Sequence, residues 1–203
     1  QLRIAKFLQL GRVCGDYYEF GVFAGASLIQ AYNLPWHEAS PQFGVNIEPE
    51  HNGDLSPSAS PPFRPRRRFI GFDSFAGLPL PEGLDASLPT FQEGDYSSSL
   101  NECLGNLRSA GLDFDRVTLV EGWFHDTLTA ETMQRVGLAE SKAAWVFVDC
   151  DLYESTKRVL DFLTDIMQDG TVITFDDWIA YRSNPAYGEQ ATFREWLEKN
   201  PNF

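Results

Sequence analysis

The sequence predicts an α/β fold built on a doubly wound, mostly parallel sheet. Two observations lead there. Short apolar runs rich in β-branched and aromatic residues, such as Ala144–Val148 and Thr171–Phe175, read as central strands covered on both faces. These runs alternate with helix-like segments, which implies right-handed crossovers between parallel strands. A third observation bears on function: both runs end in acidic doublets, Asp149-Cys150-Asp151 and Asp176-Asp177. Carboxylates at the carboxyl ends of neighbouring parallel strands face the crevice where open α/β sheets bind ligands.

The elements follow in order. Residues 2–10 suggest a short helix packing through Leu2, Ile4, Phe7, Leu8 and Leu10. Residues 17–23 predict the first strand, and Ala24-Gly25-Ala26-Ser27 a small-residue turn before a helix over 28–33. Residues 35–66 are rich in Pro, Ser, Asn and Gly, the signature of a surface insertion. A second strand spans 69–72, followed by a Gly/Pro/Ser-rich, lid-like connection over 76–99. A helix at 99–109, a strand at 117–120 and a turn at 121–124 come next.

The strand at 144–148 precedes a helix over 155–168 whose Val159, Leu160, Leu163, Ile166 and Met167 make one stripe. Ser155 or Thr156 is expected to cap its start and Asp169-Gly170 to stop it. A strand at 171–175 and a helix at 190–199 complete the chain, read as a single domain over 1–203 without internal repeats.

Composition narrows the partners. A formal net charge of −13 leaves no basic face for nucleic-acid phosphates. The basic run Arg64-Pro65-Arg66-Arg67-Arg68 is expected to be a solvated flank. No apolar run nears the roughly 20 residues of a membrane span, and no charged-then-apolar leader is evident in a chain that starts at Gln1. Three scattered cysteines without a C-x-x-C pair fit a reducing cytoplasm. A homo-oligomer is left open.

Several carboxylates in one crevice repel one another unless protons or a cation intervene, so the doublets read as a hard-cation site suited to Mg²⁺. Asp149 leaves its strand first and is preferred to Asp151 as a ligand, with the choice between them open. In the first turn, Glu19 precedes Gly21 and Gly25, a spacing unlike the dinucleotide fingerprint. Its glycines allow close backbone approach, and the acid suits a ligand with a positive centre. Asp73 sits at the second strand tip, where such folds hold ribose hydroxyls, though about 50 residues after Gly21. Glu121-Gly122-Trp123 could frame an aromatic base, and His125 lies beside that turn.

Six segments together resemble a known family. They are Tyr18–Ser27, Gly71–Pro79, Gly122–Leu128, Val148–Thr156, Phe175–Trp178 and Gly188–Ala191. The set resembles the macrocin O-methyltransferase family, metal-dependent class I S-adenosylmethionine methyltransferases with a Rossmann-like sheet acting on natural-product sugars. The resemblance implies that Glu19, Gly21, Gly25 and Ser27 line the methionine part of S-adenosylmethionine. Asp73 and Ser74 would take the ribose region, and Glu121, Gly122 and Trp123 the adenine. Asp149, Asp176 and Asp177 would hold Mg²⁺. A hydroxyl acceptor, sugar-containing in the family's manner, would lose its proton to Asp149 or to His125.

The chain departs from the family in a longer insertion and in lacking the antiparallel hairpin that ends the family's sheet. Two other readings stand beside this one. Asp149-x-Asp151 also resembles the D-x-D of metal-dependent nucleotide-sugar glycosyltransferases, and a catalytically silent nucleotide-binding domain would need none of these roles.

Overall fold

The computed structural model describes residues 1–35, 67–87 and 90–203. All but the first residue of the expected 35–66 insertion therefore lies outside the described residues, with His37, His51 and Arg64–Arg66. So do Leu88 and Pro89 of the 76–99 connection.

Helix α1 (Leu2–Leu10) leads into β1 (Asp16–Phe20), α2 (Ala26–Tyr32) and β2 (Phe69–Asp73). A 3-10 turn (Asp85–Ser87) precedes α3 (Leu100–Ser109), β3 (Val117–Glu121), α4 (Phe124–Thr127) and α5 (Ala130–Arg135). Then come β4 (Ala143–Val148), α6 (Tyr153–Ile166), β5 (Val172–Phe175), α7 (Ala180–Ser183) and α8 (Gly188–Lys199). The five strands form one sheet in the order β3-β2-β1-β4-β5, and every pair is parallel. Strand order reverses between β1 and β4, which opens a crevice at their carboxyl ends.

Alternation along β1 divides the core. Tyr18 and Phe20 face one layer with Val146, Val148 and the α6 stripe of Val159, Leu160 and Leu163. Tyr17 faces the other with Phe69, Trp145, Leu28 and Leu107. Glu19 shares the Tyr17 face, so its carboxylate points into packed protein.

Three expectations are corrected. Strand β1 stops at Phe20, because Gly21 turns away at φ 91° and the next two amides pair with Asp73. Helix α6 begins at Tyr153 behind Leu152, and neither Ser155 nor Thr156 caps it. Both lie inside the first turn, where the Thr156 hydroxyl donates back to Leu152 O at 2.8 Å. Gly170 does not stop α6 either: the helix ends at Ile166, and Gly170 (φ 87°) serves the tight turn in which Thr171 N donates to Gln168 O. The composition gave no signal for α5, which Thr129 caps through its hydroxyl.

The described end of the basic run is also not a free flank. Arg68 reaches Asp16 Oδ2 through Nη2 and Nε at 2.8 and 3.0 Å, and its backbone amide donates to Asp16 Oδ1 at 2.8 Å. Ser141 donates to the same carboxylate at 2.5 Å and accepts from Tyr18 at 2.6 Å. Asp16 thereby fastens the entrances of β1, β2 and β4. Asp16→Ala strips acceptors from four donors. It should cost about 2 kcal/mol and lower the unfolding midpoint by about 4–8 °C in a chain of this size, as thermal denaturation would show.

Candidate active site

The site starts with a backbone collision avoided. A Cβ on Gly21 would lie 1.7 Å from Asp149 O, so the turns after β1 and β4 touch at a place only glycine fits. Asp73 braces the first turn. Its Oδ2 accepts from Val22 N and Phe23 N at 2.6 and 2.7 Å, and its Oδ1 from Phe75 N at 2.6 Å. Ser74 closes its own loop by donating to Gly77 O at 2.9 Å and accepting from Ala76 N at 3.1 Å.

Behind this turn, Glu19 is fully buried and accepts from Tyr17 at 2.5 Å and Ser27 at 2.6 Å. Burial pushes its carboxyl up to about 8, against the pull of those two donors. Gly25 takes the left-handed conformation that starts α2, against Leu107 and Cys103. Glu19, Gly25 and Ser27 are thus placed beneath the turn and build it. Gly21, Asp73 and Ser74 are the members of that expected group that line the cavity in front.

The cavity measures about 680 Å³. The turn after β3 supplies Trp123, Phe124 and His125 to its wall, and Glu121 and Gly122 stay outside it. Gly122 N instead continues the sheet ladder to Asp73 O at 2.9 Å. His125 is exposed and pairs with Asp126 at 3.1 Å.

Asp149, Asp151, Asp176 and Asp177 all line the cavity. The oxygens that converge belong to Asp149, Asp151 and Asp177, all within 4.8 Å of one another. The gathered trio therefore contains Asp151 where the sequence reading places Asp176. Asp151 holds a left-handed backbone (φ 61°), and its carboxyl lies against that of Asp177, whose charge helps to raise it. Asp176 remains exposed as its amide extends the ladder to Val148 O.

Burial first, and then the neighbouring aspartates, raises Asp149 to about 7 and Asp151 to about 8; burial and the charge of Asp176 raise Asp177 against the opposing pull of Asp151. One Asp177 oxygen is buried without a hydrogen-bond partner. The arrangement can hold a divalent cation on oxygen ligands or accept a proton near neutrality.

Sequence reasoning quoted Glu189 only within the Gly188–Ala191 segment and gave it no role, yet its carboxyl is buried within electrostatic reach of these aspartates. It is 1 % exposed, both its oxygens lack partners, and burial followed by the repulsion of Asp177 raises it to about 9. An acid in the first turn of a helix ordinarily reads as a solvated complement to the helix dipole, so its burial is not legible locally. Tyr96, at φ 57° in the 76–99 connection, also lines the cavity, and Asp151 is the main cause raising its hydroxyl.

Similar proteins give this geometry a context. The sequence pattern of the macrocin O-methyltransferase family (TylF) matches residues 63–196. A Streptomyces olivaceus protein, 8-demethyl-8-(2,3-dimethoxy-alpha-L-rhamnosyl)-tetracenomycin-C 4'-O-methyltransferase, is 30% identical over 117 residues. That alignment covers 55% of this chain and 42% of the relative, so the chain spans less than half of that protein's length. The O-methyltransferase NovP superposes with a TM-score of 0.70 at 21% identity, covering 98% of this chain and 69% of its own. CalS11, a calicheamicin methyltransferase, gives 0.65 at 25% identity, covering 97% and 71%.

The raised carboxyls set a pH test. Their folded values exceed the unfolded value of about 4. Their contribution to stability is therefore complete below about pH 4 and is lost as pH rises through about 7 to 8. A cation competes with protons for these oxygens. Millimolar Mg²⁺ should raise the unfolding midpoint by several degrees near pH 8 and hardly at all near pH 5. Equal shifts at both pH values would remove the trio as a cation site.

Proposed function

This chain belongs to the macrocin O-methyltransferase family, and from that premise we propose that it moves a methyl group from S-adenosylmethionine to a hydroxyl of a sugar-containing acceptor. The observation that carries the proposal is the convergence of Asp149, Asp151 and Asp177 in the cavity that begins at the Gly21 turn. The sugar acceptor is supported by the rhamnosyl substrate named for the tetracenomycin relative. The glycosyltransferase and silent-domain readings are not favoured, since the family and that relative are both O-methyltransferases.

The donor would occupy the part of the cavity between the Gly21 turn and Trp123. Asp73 keeps one acceptor lone pair of Oδ1 free for a ribose hydroxyl after its three amide bonds. Trp123 offers an apolar surface for the adenine. Asp149, Asp151 and Asp177 fit Mg²⁺ by donor type and spacing, with Asp176 beside them and an Asp177 oxygen awaiting a partner. When bound, the cation would lower the acceptor hydroxyl's pKa and neutralise charge.

The sulfonium carries its own leaving group, so no nucleophilic Ser or Cys is needed. As the acceptor O–C bond forms, the methyl C–S bond breaks and its electron pair leaves with sulfur as a neutral thioether. The protein's tasks are alignment and removal of the acceptor proton. Asp149, a partly buried carboxylate lining the cavity, is suited to take that proton, while His125 is exposed and engaged with Asp126. A cytoplasmic setting is supported by the buried free thiols of Cys103 and Cys150, and no helix among the described residues is long and apolar enough to cross a membrane.

Asp149→Ala should lower the rate of methyl transfer at least about 100-fold, the usual reach of general-base catalysis. S-adenosylhomocysteine should still bind this variant, measured by calorimetry with and without Mg²⁺. Unchanged turnover would refute Asp149 as base, and failure of the unsubstituted protein to bind S-adenosylhomocysteine would refute the donor.

A further inference from the structure

We infer that Asp85 is a positioning residue that ties the 76–99 connection to both acidic turns at once. The inference rests on the methyltransferase reading for its catalytic meaning and on hydrogen bonds for its geometry. Asp85 is 4 % exposed. Its Oδ1 accepts from Tyr153 N at 2.9 Å and from the Tyr181 hydroxyl at 3.3 Å, and its Oδ2 accepts from Glu154 N at 3.3 Å. These partners lie 68, 96 and 69 residues away in sequence.

Tyr153 and Glu154 are the first two residues of α6, and Leu152 before them contributes no side-chain cap. A helix start leaves its first amides without intrahelical partners. Asp85 supplies those partners from a distant segment, with a carboxylate at the positive end of the helix dipole. The next residues upstream are Asp149–Asp151, whose last member is strained into the left-handed region. The direction in which α6 leaves the sheet therefore fixes where that turn can present its carboxyls.

Tyr181 extends the tie to the other doublet. It follows Asp177 by four residues and is itself left-handed at φ 53°. Its ring meets Phe91 of the 76–99 connection edge-on at 5.7 Å and stacks on Tyr187 at 5.7 Å. One carboxylate thus spans the connection, the start of α6 and the segment after β5, and it lines the cavity besides. A cap with only a local role needs neither the tyrosine nor a position in the cavity wall.

The test compares Asp85→Ala and Asp85→Asn with Ser99→Ala, which removes an exposed cap of α3. Three readouts are needed: limited proteolysis within 76–99, Mg²⁺ affinity by calorimetry, and S-adenosylhomocysteine affinity. Asp85→Ala should be cleaved in 76–99 about tenfold faster and bind Mg²⁺ about tenfold more weakly, the lower end for loss of an outer support of metal ligands. Ser99→Ala should change neither. Asp85→Asn, whose amide oxygen still accepts, should fall between them and keeps the test valid if Asp85→Ala does not fold. Cleavage and Mg²⁺ affinity in the Asp85 variants equal to those of Ser99→Ala would overturn the inference. A failure of the methyltransferase reading would instead appear as no S-adenosylhomocysteine binding by the unsubstituted protein, with the proteolysis result standing alone.

Discussion

Repulsion among carboxylates held in a poorly solvated crevice is the constraint on which the rest of this molecule turns. Asp149, Asp151 and Asp177 meet within 4.8 Å, with Glu189 buried nearby. Each additional charge there raises the cost of the others, so the group must share protons or share a cation. The sheet makes the gathering unavoidable. Strands β4 and β5 are adjacent and in register, with Val148 beside Phe175, so the residues that follow both strands emerge side by side.

Holding such a group demands stiff surroundings, and the surrounding turns are stiff for nameable reasons. Gly21 sits against Asp149 O with no room for a side chain. Asp73 fixes the backbone of the first turn with two amide bonds and its own turn with a third, so its carboxylate is both scaffold and cavity wall. Asp85 performs the corresponding service for α6 from the cavity wall. Rigid supports of this kind keep charged ligand atoms in place without reorganisation when a substrate arrives.

The sheet, its parallel sense and most helices were legible because alternation and apolar runs are local properties. The two acidic strand ends were legible for the same reason, as were Gly21 and Asp73 as turn residues. What could not be read depends on contacts distant in sequence. No local feature tells that Glu19 is turned inward onto Tyr17 and Ser27, although strand alternation from Tyr17 carries a hint. The presence of Asp151 rather than Asp176 in the converging trio goes with a left-handed backbone at Asp151, which composition does not encode. Glu189 and Asp85 look like ordinary surface acids until the chain folds around them.

The left-handed backbone of Asp151 has a consequence for how this protein can change. Glycine would relieve the strain at that position, and Asp-like residues tolerate it better than most. A selection for thermal robustness alone would therefore drift toward removing this carboxyl, as strained functional positions trade stability against activity. Retention of an acid there, across laboratory lineages evolved under heat, would register that the oxygen is being used.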